Sequence, residues 1–213
     1  FSGISHEKIA LADAVWKLSG SRMSGAYLDY QNGPWMLRGS YSNIRFRNNL
    51  PIDDVLSLLG AGSKAASDFL ATENTRADYY SLGLVYDHGP WQLQFMVNKI
   101  NQGSNAFEDS TAAYVLAEYR MGLFTPYLGY SQVASQKRSN TLNPVIDGVM
   151  ADSHVHQNTW IVGARWDVLR NVALKAQVDS VRGTPESIFP YRRENDSWSG
   201  RMNIFSATLD FVF

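Results

Sequence analysis

The 213 residues carry 19 Lys and Arg against 20 Asp and Glu, are 45% hydrophobic and 13% aromatic, and include no cysteine. A formal net charge of −1 without a basic run excludes a nucleic-acid binder held by phosphate contacts, and zero cysteine excludes disulfides, thiolate metal sites and thiol nucleophiles. Apolar stretches far below the roughly 18 residues of a membrane-spanning helix exclude a helical membrane protein.

Residues 1–18 read two ways. Ala10, Ala12, Ala14, Trp16 and Leu18 alternate with Ile9, Leu11, Asp13, Val15 and Lys17, yet both faces are apolar enough for a short helix. Alternation of apolar and polar side chains, the mark of a half-buried strand, then runs through 21–31 and 35–45, joined by Asn32-Gly33-Pro34. Segment 47–75 breaks the period. Pro51 followed by Asp53 and Asp54 reads as a helix start with acids in its first turn, and Leu56, Leu59, Ala66, Phe69 and Leu70 follow at helical spacing. Tyr80, Leu82, Leu84 and Tyr86 then alternate with Ser81, Gly83 and Asp87, and after His88-Gly89-Pro90, Trp91, Leu93, Phe95 and Val97 alternate with Gln92, Gln94 and Asn98. A long connection over 100–110 leads to strands at 111–121 and 126–136 around Gly122-Leu123-Phe124, and another over 137–155 leads to Trp160, Val162, Ala164, Trp166 and Val168. Arg170-Asn171 turns the chain into Val172, Leu174, Ala176 and Val178. After 184–198 the chain closes on Phe205, Ala207, Leu209, Phe211 and Phe213, with Ser206, Thr208 and Asp210 opposite.

These segments make nine strands. Short and long connections alternate strictly, as in an up-and-down meander with all tight turns at one end. Strands bordering those turns carry an acid on the polar face: Asp29, Asp87, Glu118, Asp167 and Asp210. This is an internal hairpin repeat with variable long loops.

In a soluble sandwich the apolar face would be the core; in an outer-membrane barrel it would meet lipid. Three features favour the barrel. Tyr30, Trp35, Tyr86, Trp91, Tyr119, Phe124, Trp166 and Phe211 cluster beside the short turns, as an interfacial girdle requires. The polar faces mix small and charged residues suited to a watery lumen. The chain stops on an alternating aromatic tail. That tail, Leu209-Asp210-Phe211-Val212-Phe213, resembles the assembly signal of Gram-negative outer-membrane barrels. Residues 166–177 and 122–127 are similar to hairpin segments of proteobacterial porin-like proteins. The resemblance implies a bacterial outer-membrane location, short turns on the periplasmic side and a 16-stranded barrel. This chain would then be its carboxyl-terminal half, the alternative being a small ten-stranded barrel; in both it is a single barrel region over 1–213 with a tenth strand drawn from 1–18. It also implies a homo-trimer, contact with membrane lipid and lipopolysaccharide, and engagement of the assembly machinery through Phe211 and Phe213.

The expected fold is therefore all-β, an antiparallel up-and-down transmembrane β-barrel. The expected function is a porin, a passive diffusion channel for small hydrophilic solutes or ions, with no cofactor, no metal and no enzymatic activity. Its pore-lining charges would be Asp29, Arg38, Asp87, Glu118, Arg120, Arg165, Asp167, Lys175, Asp179 and Asp210, setting a field across the lumen or merely pairing across strands. Asp53, Asp54, Lys64 and Asp68 would narrow the path if loop 47–75 folds inward; the alternative is packing against neighbouring loops. His154 and His156 form a metal half-site without a third ligand, and Ser153 lies too close to His154 in sequence to form a dyad readily. An outer-membrane hydrolase would have to build its site from these residues, whereas a soluble β-sandwich binding module would have to bury its apolar faces against each other.

Overall fold

The computed structural model describes residues 1–211 except 12–13, 53–55, 58–63, 141–142, 152–153, 185–186 and 188–198. Its core element is one ten-stranded sheet. The strands are β1 (Ser2–Ile4), β4 (Arg22–Asn32), β5 (Trp35–Arg45), β6 (Arg76–His88), β7 (Trp91–Gln102), β8 (Ser110–Tyr119), β9 (Phe124–Ser135), β10 (His156–Leu169), β11 (Val172–Gly183) and β12 (Arg201–Phe211). All pair antiparallel with their neighbours in that order, with β1 and β12 at the two edges. Between β1 and β4 the chain forms a separate hairpin, β2 (Lys8–Leu11) with β3 (Ala14–Lys17).

The tenth strand thus comes from residues 2–4, and the ambiguous segment resolves into a hairpin whose Trp16 packs on Phe46 and Phe107 at 5.1 and 5.8 Å between ring centroids. Burial of one large ring against two others is what a short apolar segment gains here over a helix of its own. At the tight turns, Gly33 and Gly89 take φ of 55° and 58° ahead of Pro34 and Pro90. Positive φ followed by the fixed negative φ of proline is the order of signs in a II′ turn, whose twist matches the flanking strands.

Register sorts side chains as the period of two requires. Leu37, Leu84, Phe95, Val115, Tyr130 and Trp160 form one row across six strands of the apolar face. Asp87, Gln92, Glu118, Tyr127, Gly163, Gln177 and Ser206 form a row on the other. A bulge between Asp167 and Leu169 interrupts the pattern, so Leu169, not Val168, opposes Val172. The extra residue re-aims the strand end.

Among the described residues nothing covers the apolar face of the sheet: Leu28 is 74% exposed, Val162 56% and Phe205 77%. A packed core exists instead among the loops at the long-loop end. Leu56, Leu70 and Ala66 of helix α1 (Lys64–Phe69) and its flanks meet Ala106, and Ile146 and Met150 of helix α2 (Pro144–Ala151). Water would not tolerate the first arrangement on this scale, and lipid requires it.

Candidate functional site on the polar face

The polar face carries its charges mostly as ion pairs near the short turns. Arg38 donates to both oxygens of Asp29, at 2.6 and 2.7 Å, across the β4–β5 hairpin. Arg120, in the turn after β8, reaches back to both oxygens of Asp87 at 2.7 and 2.9 Å and to Gln92 at 2.8 Å. Arg165 donates to Asp167 at 2.7 Å, and Lys175 lies 2.7 Å from Asp210. The hairpin register sets two of these arrangements: Asp29 opposes Arg38 directly, and Asp210 is two residues along from Thr208, which opposes Lys175. Four of the five acids of the repeat, all but Glu118, therefore carry a basic partner on the polar face.

Two carboxylates of the polar face stand outside these pairs. Among the described residues, neither Glu118 nor Asp179 has an ion-pair partner; Asp179 accepts two hydrogen bonds from Gln177, at 2.8 and 2.9 Å. Gln177 accepts in turn from the Tyr127 hydroxyl at 3.0 Å. The Tyr127 ring lies over Gly163, its cross-strand partner, so closely that a Cβ there would sit 2.4 Å from the ring. Glycine is required at that position by the approach of the ring, and alternation alone gave no signal of it.

The loop at 47–75 buries its apolar face in the loop core, against 104–107 and 144–151. Asn105 donates to the Phe69 carbonyl at 3.1 Å and Ser104 to that of Leu70 at 3.4 Å, tying the loops at the backbone. Lys64 and Asp68 are exposed on the outer side of α1; Asp53 and Asp54 lie outside the described residues.

One cluster at the long-loop end escaped the sequence reading. The side chain of Glu108 is 1% exposed, and its Oε2 lies 2.8 Å from His154 Nδ1 and accepts from the Ser135 hydroxyl at 2.5 Å. Ser135 Oγ is 3.2 Å from the same ring nitrogen and accepts from the Val155 amide at 2.9 Å. The three residues are 19 to 46 positions apart, so no local motif could reveal them. His156, the first residue of β10, is exposed and has no contact with this cluster among the described residues. Among the described residues, no group of three or more His, Asp or Glu side chains could hold a metal ion. Ser153 lies outside the described residues.

On the apolar face, aromatic pairs stand at two levels. Trp35–Tyr86 and Trp91–Tyr119, at 4.6 and 4.7 Å, lie beside the short turns; Tyr41–Tyr80 and Tyr130–Trp160, at 5.1 and 4.9 Å, lie further up. The second row was not read from the sequence, because its members sit inside strands rather than beside turns. The row beside the short turns is what one boundary of a bilayer selects.

No family model matches the chain, and no curated protein matches it by sequence. Among solved structures it is similar to a loop L8 deletion mutant of OmpT, an outer membrane protein of Vibrio cholerae, with a TM-score of 0.54 and 11% identity. The match covers 90% of this chain and 54% of that one, so the chain spans about half the length of that structure. The fold is thus an outer-membrane β-barrel fold, and the outer membrane is the environment its exposed apolar face requires. The expectation of a chain without enzymatic activity is corrected here. It rested on finding no nucleophile–base pair in the sequence, and Glu108, Ser135 and His154 are brought together as such a set. A likeness at 11% identity shows the fold alone, and the outer-membrane barrel carries no rule against catalysis.

Proposed function

We propose that the chain forms the wall of a passive diffusion channel for small hydrophilic solutes and ions. The observation that carries this reading is the solvated ladder of ion pairs and amides opposite a lipid-facing surface, with side-chain exposures of 37–54% for Asp29, Arg38, Asp87 and Arg120. Charges kept half-exposed on the side away from lipid need water there, and a water-lined wall is what a pore provides. In the same reading further strands complete a larger barrel, the loop bundle with Lys64 and Asp68 narrows the mouth, and the aromatic tail with Phe211 addresses the assembly machinery. Homo-trimers belong to it by the porin resemblance.

The test is single-channel conductance of the refolded chain in a planar bilayer. Stepwise ohmic openings are expected, with a weak cation preference from Glu118 and Asp179. A charge about 8 Å from an ion in water is worth about 0.5 kcal/mol, a factor of about two in local concentration. The variant Glu118→Gln/Asp179→Asn is accordingly expected to bring the reversal potential in a salt gradient close to zero. Persistent silence from a chain that migrates as a closed, heat-modifiable barrel overturns the channel reading.

The Glu108–Ser135–His154 cluster supports a second reading, a hydrolase with Ser135 as nucleophile. In the geometry at hand the hydroxyl proton goes to Glu108, and Nδ1 can either donate to that carboxylate or accept from the hydroxyl, not both. Covalent labelling of Ser135 by a fluorophosphonate, absent in Ser135→Ala, is the result this reading requires. An unlabelled, folded chain ends it.

A further inference from the structure

The polar face of the sheet turns apolar at its long-loop end. Met23, Ile44, Ala77 and Gln102 oppose one another in turn across β4, β5, β6 and β7. Nearer the short turns the same four strands present Asp29, Arg38, Gly83 and Met96 in the matching row. An even number of residues separates the two rows on every strand, so both lie on the water side. The separate β2–β3 hairpin stands against the upper row. There Trp16 packs on Phe46 and Phe107, and Ile9 opposes Trp16 on the same face of the hairpin. Between the row and these rings lies a recess of about 410 Å³. Trp16 is buried, yet Met23 is 41% and Ile9 40% exposed, so part of this apolar wall is open to water.

The walls define what fits. The indole nitrogen of Trp16 already donates to the Asn48 carbonyl at 3.4 Å, which leaves the ring as an apolar surface beside the recess. Among the described residues no charged group faces inward. Asp78 lies at the edge, but its carboxylate belongs to the opposite face of β6, where it accepts from Tyr41 at 2.6 Å and pairs with Arg76 at 2.6 Å. The hydroxyl of Ser42 and the side-chain amide of Gln102 line the recess and engage none of the described residues. An apolar pocket with a few convergent polar groups is the ordinary form of a small-molecule site. Aromatic walls favour a planar ring through apolar burial and ring–ring contact. A charged solute would lose hydration there with no counter-ion to replace it.

We propose that this recess binds neutral single-ring aromatic compounds that carry one hydroxyl or amide group. The site depends on which face of the sheet is wet and not on conduction, which the bilayer recording reads separately.

The experiment titrates the full chain, refolded in phosphocholine micelles with methyl-labelled methionine, with benzyl alcohol and follows the methyl resonances by NMR. The Met23 methyl, identified through Met23→Leu, is expected to shift and to saturate at about millimolar concentration, in line with so small a ligand. Met96, further down the wall, and Met202, on β12, are expected to stay in place. Benzoate is expected to bind roughly tenfold more weakly because its charge must be desolvated. Ala77→Phe fills the recess and is expected to abolish saturation. Trp16→Leu keeps an apolar cover without the ring and is expected to weaken binding about fivefold. Unshifted Met96 and Met202 resonances in both variants report that the sheet is folded. Joint drift of all three methyls without saturation is partition into the micelle and overturns the proposal. Benzoate binding as tight as that of benzyl alcohol overturns it too, as does saturation that survives in Ala77→Phe.

Discussion

Replacing Leu82 by arginine is expected to lower folding stability in a bilayer by about 2–4 kcal/mol, the cost of a cationic side chain near the midplane of a barrel's lipid face. Leu82 is midway along β6, 47% exposed, between Tyr80 and Leu84 on the apolar side. Its neighbour Ser81 faces the other way, opposite Ser40 and Asn98. Ser81→Arg is therefore expected to fold with little loss, since its charge enters the solvated ladder. Urea unfolding in lipid vesicles and heat-modifiable gel migration measure the pair. A larger penalty at 81 than at 82 means that the two faces of the sheet have been assigned the wrong way round.

The second large effect lies in the loops. Leu70 is fully buried in the cluster with Leu56, Ala66, Ala106, Ile146 and Met150. Leu70→Ala is expected to cost about 2–5 kcal/mol of loop-bundle stability, the usual penalty for a Leu-to-Ala cavity. Because this core is separate from the sheet, the loss stays local. Proteolysis within 47–75 and 137–155 is expected to accelerate while the gel migration of the sheet is unchanged. A shift of both together means that loops and sheet fold as one unit.

The strands were legible because lipid on one side and water on the other impose a period of two on every one of them, and Leu82 beside Ser81 shows how little noise that leaves. The tight turns were legible through Gly33-Pro34 and Gly89-Pro90. Asp29 with Arg38 could be paired on paper, since a two-residue turn fixes their register. Arg120 with Asp87 could not, because a side chain in one turn reaches across to a neighbouring strand. Segment 8–17 was unreadable for a different reason: a hairpin of four-residue strands and one turn of helix place apolar residues alike. Glu108 and His154 come from loops with no period at all and Ser135 from the last position of β9, and only the packing of those loops brings the three within reach.

The edges of the sheet bear on how the chain enters a bilayer. The short strand β1, with Phe1, pairs β4 only as far as Gly25, so residues 26–32 present open backbone donors and acceptors on that side among the described residues. At several kcal/mol for each unsatisfied group in hydrocarbon, that row alone outweighs the roughly 5–15 kcal/mol that holds a domain together. The apolar face draws the sheet into lipid while its margins hold it back. Insertion and strand pairing are therefore a single coupled event, in which the open margin of β4 has to find a partner as the apolar face enters lipid.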